Sequence, residues 1–244
     1  MDRSSVQDRV PLPKYYRLKE SIRVMIEEQH LAEGDLIPSE RELCETHGVS
    51  RMTARQAVKE LVSEGVLYRE QGRGTFVAGP KLRHETARLT SFTQDMQERG
   101  MTSSSSVLGV EKEAASPAMA EILGVEPNEQ LIRISRVRNA EGHPMALETS
   151  YLLYKFGKSV LDVDLSQSSL YEELGKRGLR ITSAEQRYEA TLVNEYEANY
   201  LNIPAGSAAL LVERVTLDDN EKPFEYVKSI YRGDRYHVAT TLHS

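Results

Sequence analysis

Apolar residues recur along this chain with a period that changes twice. Leu18, Ile22, Met25 and Ile26 stand at i, i+4, i+7 and i+8 with charges between them, the spacing of one buried helix face. Gly34 reads as the stop of that helix. Ser39 then caps a short second helix: Glu42, three residues on, completes a capping box, and His47-Gly48 closes it. Ser50 opens a third helix with Ala54, Ala57, Val58, Leu61 and Val62 on one face, ending at Glu64-Gly65. Only Gly48-Val49-Ser50 separates the second helix from the third, which predicts a helix-turn-helix. The pattern next shortens to strand length at Val66–Arg69 and Thr75–Ala78, around a turn whose glycines permit positive φ. Three helices and a β-hairpin make a winged helix over residues 13–78.

Residues 1–12 are polar and read as a disordered lead-in, and 79–90 lack an apolar period and read as a linker. From 91 to 244 helices are expected near 91–99, 117–124, 168–177 and 194–201. Strands are expected near 105–113, 130–139, 145–153, 181–192, 207–218, 223–232 and 236–242. The turns Ala140-Glu141-Gly142 and Asp218-Asp219-Asn220 sit at hairpin spacing, so this second domain is a mostly antiparallel sheet with helices on it. The fold class is α+β.

Composition narrows the function. The 244 residues give room for two domains, and 31 Lys+Arg against 37 Asp+Glu leave a net charge of −6. That balance argues against a nonspecific nucleic-acid coat or a polybasic membrane binder, but not against DNA reading through a local cluster. No apolar run is long enough to span a bilayer, and Met1–Ser5 opens no signal peptide. A lone Cys44 fits a reducing cytoplasm, and the six histidines form no ligand spacing, so neither a metal nor a cofactor is expected.

The third helix carries Arg51 and Arg55 on one face, with Thr53 and Gln56 beside them. Arginine suits bidentate contact with guanine, and Ser50 and Thr53 suit phosphate. Arg41 stands at the start of the second helix, and Gly72-Arg73-Gly74 puts one cation on a thin loop of minor-groove size. The DNA-contacting set is therefore Ser39, Arg41, Ser50, Arg51, Thr53, Arg55, Gln56, Gly72, Arg73 and Gly74. The bland alternative is a solvated charged face beside an ordinary hairpin. Charge favours the first reading locally: residues 50–76 hold five cations and three carboxylates, whereas residues 1–80 hold 12 basic and 13 acidic groups.

These residues carry a resemblance. Leu36-Ile37-Pro38-Ser39-Glu40-Arg41-Glu42-Leu43, Val49-Ser50-Arg51-Met52-Thr53-Ala54-Arg55-Gln56-Ala57, Glu64-Gly65-Val66-Leu67 and Gly72–Val77 follow in the order of the GntR family of bacterial transcriptional regulators. The resemblance implies operator contacts by Arg41, Arg51 and Arg55, with Gly72 and Arg73 at the minor groove. Ala54 departs from the Val more usual there, at a packing position.

In the second domain Arg136 and Arg138 lie two apart on a strand and share a sheet face. Two such guanidiniums repel unless an anion joins them, and they fit phosphate. Helix starts at Ser91-Phe92-Thr93 and Ser168-Ser169-Leu170-Tyr171 offer hydroxyls and N–H groups to the same anion. Glu148 and Glu225 are carboxylates that accept from sugar hydroxyls or amides. Each feature also has a plain alternative: surface ion pairs for the arginines and carboxylates, simple caps for the serines, packing for Tyr231.

Leu89–Met96, Arg136-Val137-Arg138, Pro144–Thr149, Ser168–Tyr171 and Phe224–Tyr236 resemble the UTRA effector domain of HutC-type GntR regulators, most of all those that repress N-acetylglucosamine use. The resemblance implies a chorismate-lyase-like fold. It implies phosphate held by Ser91, Thr93, Arg136, Arg138, Ser168 and Tyr171, and the sugar held opposite by Glu148, Glu225 and Tyr231. With Phe92 these form the expected effector site. The leading expectation is a homodimeric, ligand-responsive DNA-binding regulator of the repressor class. Its partners are double-stranded operator DNA and a phosphorylated amino sugar such as N-acetylglucosamine-6-phosphate or glucosamine-6-phosphate. Two alternatives stay open: another anionic metabolite as effector, or a lyase-like enzyme using Glu148 and Glu225 as an acid–base pair.

Overall fold

The computed structural model describes residues 12–85 and 88–242. The lead-in read at 1–12 lies outside the described residues except for Leu12. The chain divides into two units, Met1–Lys81 and Leu82–Ser244.

The first unit runs α1 (Lys14–Glu28), α2 (Glu40–His47), α3 (Arg51–Ser63), β1 (Leu67–Glu70) and β2 (Gly74–Val77). Its core is the apolar periodicity of the sequence made solid: Leu18 and Ile22 from α1, Leu43 from α2, and Ala54, Ala57, Val58 and Leu61 from α3. Ala54 has no exposed surface, which suits its small side chain to a tight helix contact. Ser39 caps α2 in a full capping box, and Gly48 ends it in the left-handed region. β1 and β2 pair antiparallel as the wing. Gly34 does not stop α1. The helix ends six residues earlier, at Glu28, with Gln29 as cap and His30 at φ 51°. Gly34 instead donates to Val77 O (2.9 Å), where the following segment bridges to the wing through Leu36 and Phe76.

The second unit contains β3 (Leu82–Glu85), α4 (Phe92–Glu98), β4 (Ser103–Ala114), α5 (Pro117–Leu123), β5 (Gln130–Ala140) and β6 (His143–Leu153). It continues with α6 (Tyr154–Gly157), a 3-10 turn, α7 (Leu170–Lys176), β7 (Ile181–Leu192), α8 (Glu195–Leu201), β8 (Ala208–Asp218), β9 (Pro223–Arg232) and β10 (Tyr236–Ala239). Six strands form one antiparallel sheet in the order β4-β5-β6-β9-β8-β7. Alternation sorts its side chains to two faces. Val137, Leu147 and Ile230 face α8, and Leu131 and Leu153 face α5. Ile132, Ile134 and Leu152 face α6 and α7.

The linker read at 79–90 needs correction. Leu82–Glu85 form a strand that pairs in parallel with β10, and Leu82 N donates to Arg235 O at 2.7 Å. A four-residue strand whose partner lies some 150 residues away leaves no local hairpin pattern, so composition alone read it as linker.

Candidate functional site

On the first unit, Arg51, Arg55 and Gln56 are exposed on α3 while the opposite side of the helix is buried in the core. Two of the named hydroxyls are engaged as caps. Ser39 Oγ accepts from Glu42 N (3.3 Å) and donates to Glu42 Oε2 (2.7 Å). Ser50 Oγ accepts from Thr53 N (3.2 Å) and shares a hydrogen bond with Thr53 Oγ1 (2.9 Å). Glu40, at the start of α2, reaches both Arg55 Nε (3.5 Å) and Arg69 Nη2 (2.6 Å). Arg41 lies 3.9 Å from Glu45, and Arg73 pairs with Glu70 while its guanidinium sits 5.8 Å over the Phe76 ring. The wing turn has Gly72 at φ 75° and Gly74 at φ 134°. A Cβ on Gly74 would lie 2.6 Å from Leu36 Cδ1, so this turn needs glycine for conformation and for space. The result is a helix face and a loop tip with arginines outward, the shape and charge that enter a major and an adjacent minor groove.

In the second unit, strand register assembles a cavity floor. Arg136 pairs across to Glu148, Glu148 to Ser229, and Ser229 to Val212. One row along, Ser150 pairs with Val227 and Val227 with Arg214; beyond it, Glu225 pairs with Thr216. The N-terminal ends of α4 and α7 complete the enclosure with Ser91, Phe92, Ser169, Leu170 and Tyr171.

The floor is strongly charged and buried. Arg136 and Arg138 are each 3% exposed, Glu148 8% and Glu225 1%. Glu148 Oε1 takes a 2.5 Å contact from Arg136 Nη2 and lies 3.8 Å from Arg138 Nη1. Arg138 also donates to Thr93 Oγ1 (3.1 Å) and lies 4.7 Å over the Phe92 ring. Glu225 accepts from Ser150 Oγ (2.6 Å), Tyr171 Oη (2.8 Å) and Thr216 Oγ1 (3.1 Å). Ser169 Oγ donates to Ser91 Oγ (3.4 Å), joining the two helix caps.

The two carboxyls are pushed apart electrostatically. Burial works against charge on Glu148, but Arg136 and Arg138 outweigh it and hold its pKa below the ordinary carboxylate range. Burial and the nearby Glu148 charge raise that of Glu225, even though Ser150 and Tyr171 donate to it. Desolvation brings Arg138 down to about 10. One ionised carboxylate thus faces three guanidiniums, those of Arg136, Arg138 and Arg214. Among the described residues, Arg136 Nε, Arg136 Nη1 and Arg138 Nε are buried donors with no partner. Buried unpaired donors on a charged group are costly, and an anion is the group that satisfies them.

From the cavity wall a ring contact leads outward. Tyr231 stacks on Tyr236 of β10 (4.1 Å between centroids), and Tyr236 stacks on His84 of β3 (5.7 Å). β3 is the first element after the first unit in the chain.

Both halves of this geometry have relatives. Residues 14–77 match the bacterial regulatory proteins of the gntR family, and residues 98–237 match the UTRA domain. The chain is 40% identical over 233 residues to the HTH-type transcriptional repressor NagR of Bacillus subtilis (strain 168), covering 95% of this chain and 96% of NagR. The chain belongs to the GntR family. This GntR regulator is also 30% identical to the HTH-type transcriptional repressor PhnF of Mycolicibacterium smegmatis, over 86% of both chains. The crystal structure of PhnF from Mycobacterium smegmatis superposes with a TM-score of 0.66 at 29% identity, over 93% of this chain and 99% of that one. A winged helix joined to a UTRA domain makes it a DNA-binding transcriptional regulator that responds to a small molecule.

The GntR regulator's cavity brings together Ser91, Phe92, Arg136, Arg138, Glu148, Tyr171, Glu225 and Tyr231 as named from sequence. Thr93 stands behind the wall, holding Arg138. Three placements are corrected. Ser169, not Ser168, caps α7 and lines the cavity, because α7 begins at Leu170. Glu148 does not oppose the arginines from a distance; strand register sets it directly on them. Tyr171 bonds Glu225 and Thr216 and stands with Arg214 rather than with Arg136 and Arg138. Sequence reading missed Arg214 and Ser229. The signal was present as alternation: Val212, Arg214 and Thr216 share one face, as do Glu225, Val227, Ser229 and Tyr231.

Proposed function

We propose that this GntR regulator is a repressor that binds a near-palindromic operator as a homodimer and is controlled by a phosphorylated amino sugar. N-acetylglucosamine-6-phosphate and glucosamine-6-phosphate are the effectors of choice. The observation that carries the effector is the set of buried guanidinium donors without partners in residues that line one cavity. With Glu148 ionised and Glu225 pushed toward its neutral form, the three arginines leave positive charge in excess, which matches a dianionic phosphate. Glu225, Tyr171 and Ser229 give the polar wall that sugar hydroxyls require, with Ser150 behind it donating to Glu225. The likeness to NagR, a named repressor, supports repression.

On DNA, Arg51, Arg55 and Gln56 read the major groove of a half-site, Arg41 and the α3 cap region bind phosphate, and Arg73 with Gly72 and Gly74 enters the minor groove. The twin half-site lies about one helical turn (~34 Å) away. Effector control requires different affinity for two states of the protein. The ring stack Tyr231–Tyr236–His84 gives the cavity a packed route to β3. Such a protein works in the cytoplasm, where its DNA is, and returns the sugar phosphate unchanged.

Calorimetry with a panel of sugar phosphates and their dephosphorylated sugars tests the effector, alongside operator gel shifts at fixed salt. The expected result is binding of the 6-phosphates, a change in operator affinity, and no binding of neutral sugars. Equal affinity for phosphorylated and neutral sugars would overturn the assignment. Turnover of the bound ligand would move the reading to an enzyme.

A further inference from the structure

We propose that Glu40 is a positioning residue for DNA reading: it holds Arg55 in the orientation that meets a guanine and penalises the orientation that meets a phosphate. This rests on the reading of α3 as the DNA-reading helix and adds a residue that need not touch DNA. Glu40 is the first residue of α2 and stands between Ser39 and Arg41, two residues of the expected DNA-contacting set. A carboxylate at that place repels the phosphates that its neighbours attract. The cap of α2 does not require it, because Ser39 and Glu42 make the capping box.

Glu40 instead joins three elements. Its Oε1 takes a 2.6 Å contact from Arg69 Nη2 of β1, in the wing. Its Oε2 lies 3.5 Å from Arg55 Nε of α3. The Glu40 side chain is 30% exposed, against 66% for that of Arg55. The short contact fixes the carboxylate against the wing strand, and the long one is made by the freer partner. The pairs of Arg41 and Arg73 are local, with Glu45 four residues on and Glu70 three residues back. A local carboxylate moves with its arginine. One anchored on another element stays where it is and marks a single orientation.

The atom contacted decides what Arg55 can still offer. A carboxylate at Nε leaves the terminal Nη1–Nη2 edge, whose N–H groups match O6 and N7 of a guanine. Arg55 can therefore read a base without leaving Glu40. A phosphate at the rim of the groove lies elsewhere, and to follow it Arg55 must give up the pair. The pair is exposed and weak, so the difference is modest, up to roughly 5-fold in affinity. It falls on sites that lack the guanine and spares those that have it. Phosphate contacts alone carry no sequence information. Glu40 makes the choice between phosphate and base depend on sequence.

The test uses the full-length protein, a duplex that it selects from random-sequence DNA, and a scrambled duplex, all at one salt concentration. Glu40→Gln keeps the size and removes the charge. Affinity for the scrambled duplex should rise by more than affinity for the selected one, so that their ratio falls by roughly 3- to 5-fold. Glu45→Gln removes the same charge from the same helix and should leave the ratio as it is. In an Arg55→Ala background, Glu40→Gln should leave the ratio where Arg55→Ala has already put it. An equal change on both duplexes in Glu40→Gln, up or down, would mean that Glu40 acts through bare charge or through the fold, and would overturn the proposal. So would an equal fall of the ratio in Glu45→Gln, or a full further fall in the Arg55→Ala background. If Arg55→Ala alone left the ratio intact, the reading of α3 would fall as well; if it lowered the ratio and Glu40→Gln did not, only the role of Glu40 would fall. Thermal melting checks that the variants fold. If Glu40→Gln melts below the assay temperature, Arg69→Gln decides: it removes the anchor and leaves Glu40 and Arg55 in place. It should lower the ratio too, and a ratio that it leaves unchanged would overturn the proposal.

Discussion

The two arginine-rich surfaces of this chain solve opposite electrostatic problems. On the reader, Arg41, Arg55 and Arg73 have side chains 66–73% exposed and are paired with carboxylates that water also solvates. Such pairs are weak, so the arginines can leave them for a phosphate or a guanine at little cost. In the effector cavity, Arg136 and Arg138 have side chains only 3–4% exposed and depend on Glu148 and Thr93. There each charge has lost its water, and pairing decides whether the fold tolerates it. An exposed pair is a resting place for a cation that will move; a buried pair is part of the framework until a stronger anion arrives.

The sharpest way to break this comparison is to remove one arginine from each surface and measure stability. Arg136→Ala leaves Glu148 buried without its hydrogen-bonded partner, facing only Arg138 and Arg214, and should cost about 3–5 kcal/mol. Urea unfolding reads the loss, and titration calorimetry should show no remaining sugar-phosphate binding. Arg55→Ala should cost less than about 1 kcal/mol of stability, because its pair is solvated. Equal losses in the two variants would show that burial does not separate the surfaces.

Function should reverse the ranking. Arg51→Ala and Arg55→Ala should each lose about 1–3 kcal/mol of operator discrimination while effector affinity stays as in the wild type. Competition gel shifts between operator and scrambled DNA measure this, and undiminished discrimination would remove α3 from base reading.

The surfaces also differed in how much of them the sequence disclosed. The reader is a local structure. Ser39 and Glu42 cap one helix, Ser50 caps the next, Gly72 and Gly74 frame a turn, and each signal spans a few residues. Its arginines were accordingly placed from spacing alone. The cavity is made by register between strands far apart in the chain, and period-two alternation says which face a residue takes but not what stands beside it. Arg136 and Arg138 were legible as a same-face pair; that Glu148 sits on them follows from the β5–β6 pairing. Arg214 was missed because its neighbours in the cavity come from β9 and the helix caps. Strand β3 was missed for the same reason, its pairing among the described residues being with β10.

A smaller effect tests whether the surfaces communicate. Tyr236→Leu removes the ring that stacks on both Tyr231 and His84. Sugar-phosphate affinity, measured by calorimetry, should change little, because Tyr236 is not part of the cavity lining. The effector's influence on operator affinity should shrink by about 1 kcal/mol, within the usual range of a coupling energy. A full response in this variant would exclude the stack as a route.

The smallest expected effect lies within the cavity and concerns the sign of its pH dependence. Glu148 has its pKa depressed below 4.5 by Arg136 and Arg138, so its contribution to stability is complete above that value and is lost as pH falls through the depressed one. Glu225 is raised above 4.5 by burial and by the Glu148 charge, so its contribution is complete below 4.5 and is lost as pH rises through the raised value. Unfolding midpoints of Glu148→Gln and Glu225→Gln, taken from pH 3 to pH 8 against the wild type, should therefore diverge in opposite directions. The gap between wild type and Glu148→Gln should widen toward neutral pH. That between wild type and Glu225→Gln should move in favour of the glutamine variant, because glutamine keeps an acceptor for Ser150 without carrying a charge. Parallel profiles would mean that the two carboxyls share one environment, and the division of the cavity into an ionised, arginine-bound end and a neutral, hydroxyl-bound end would not stand.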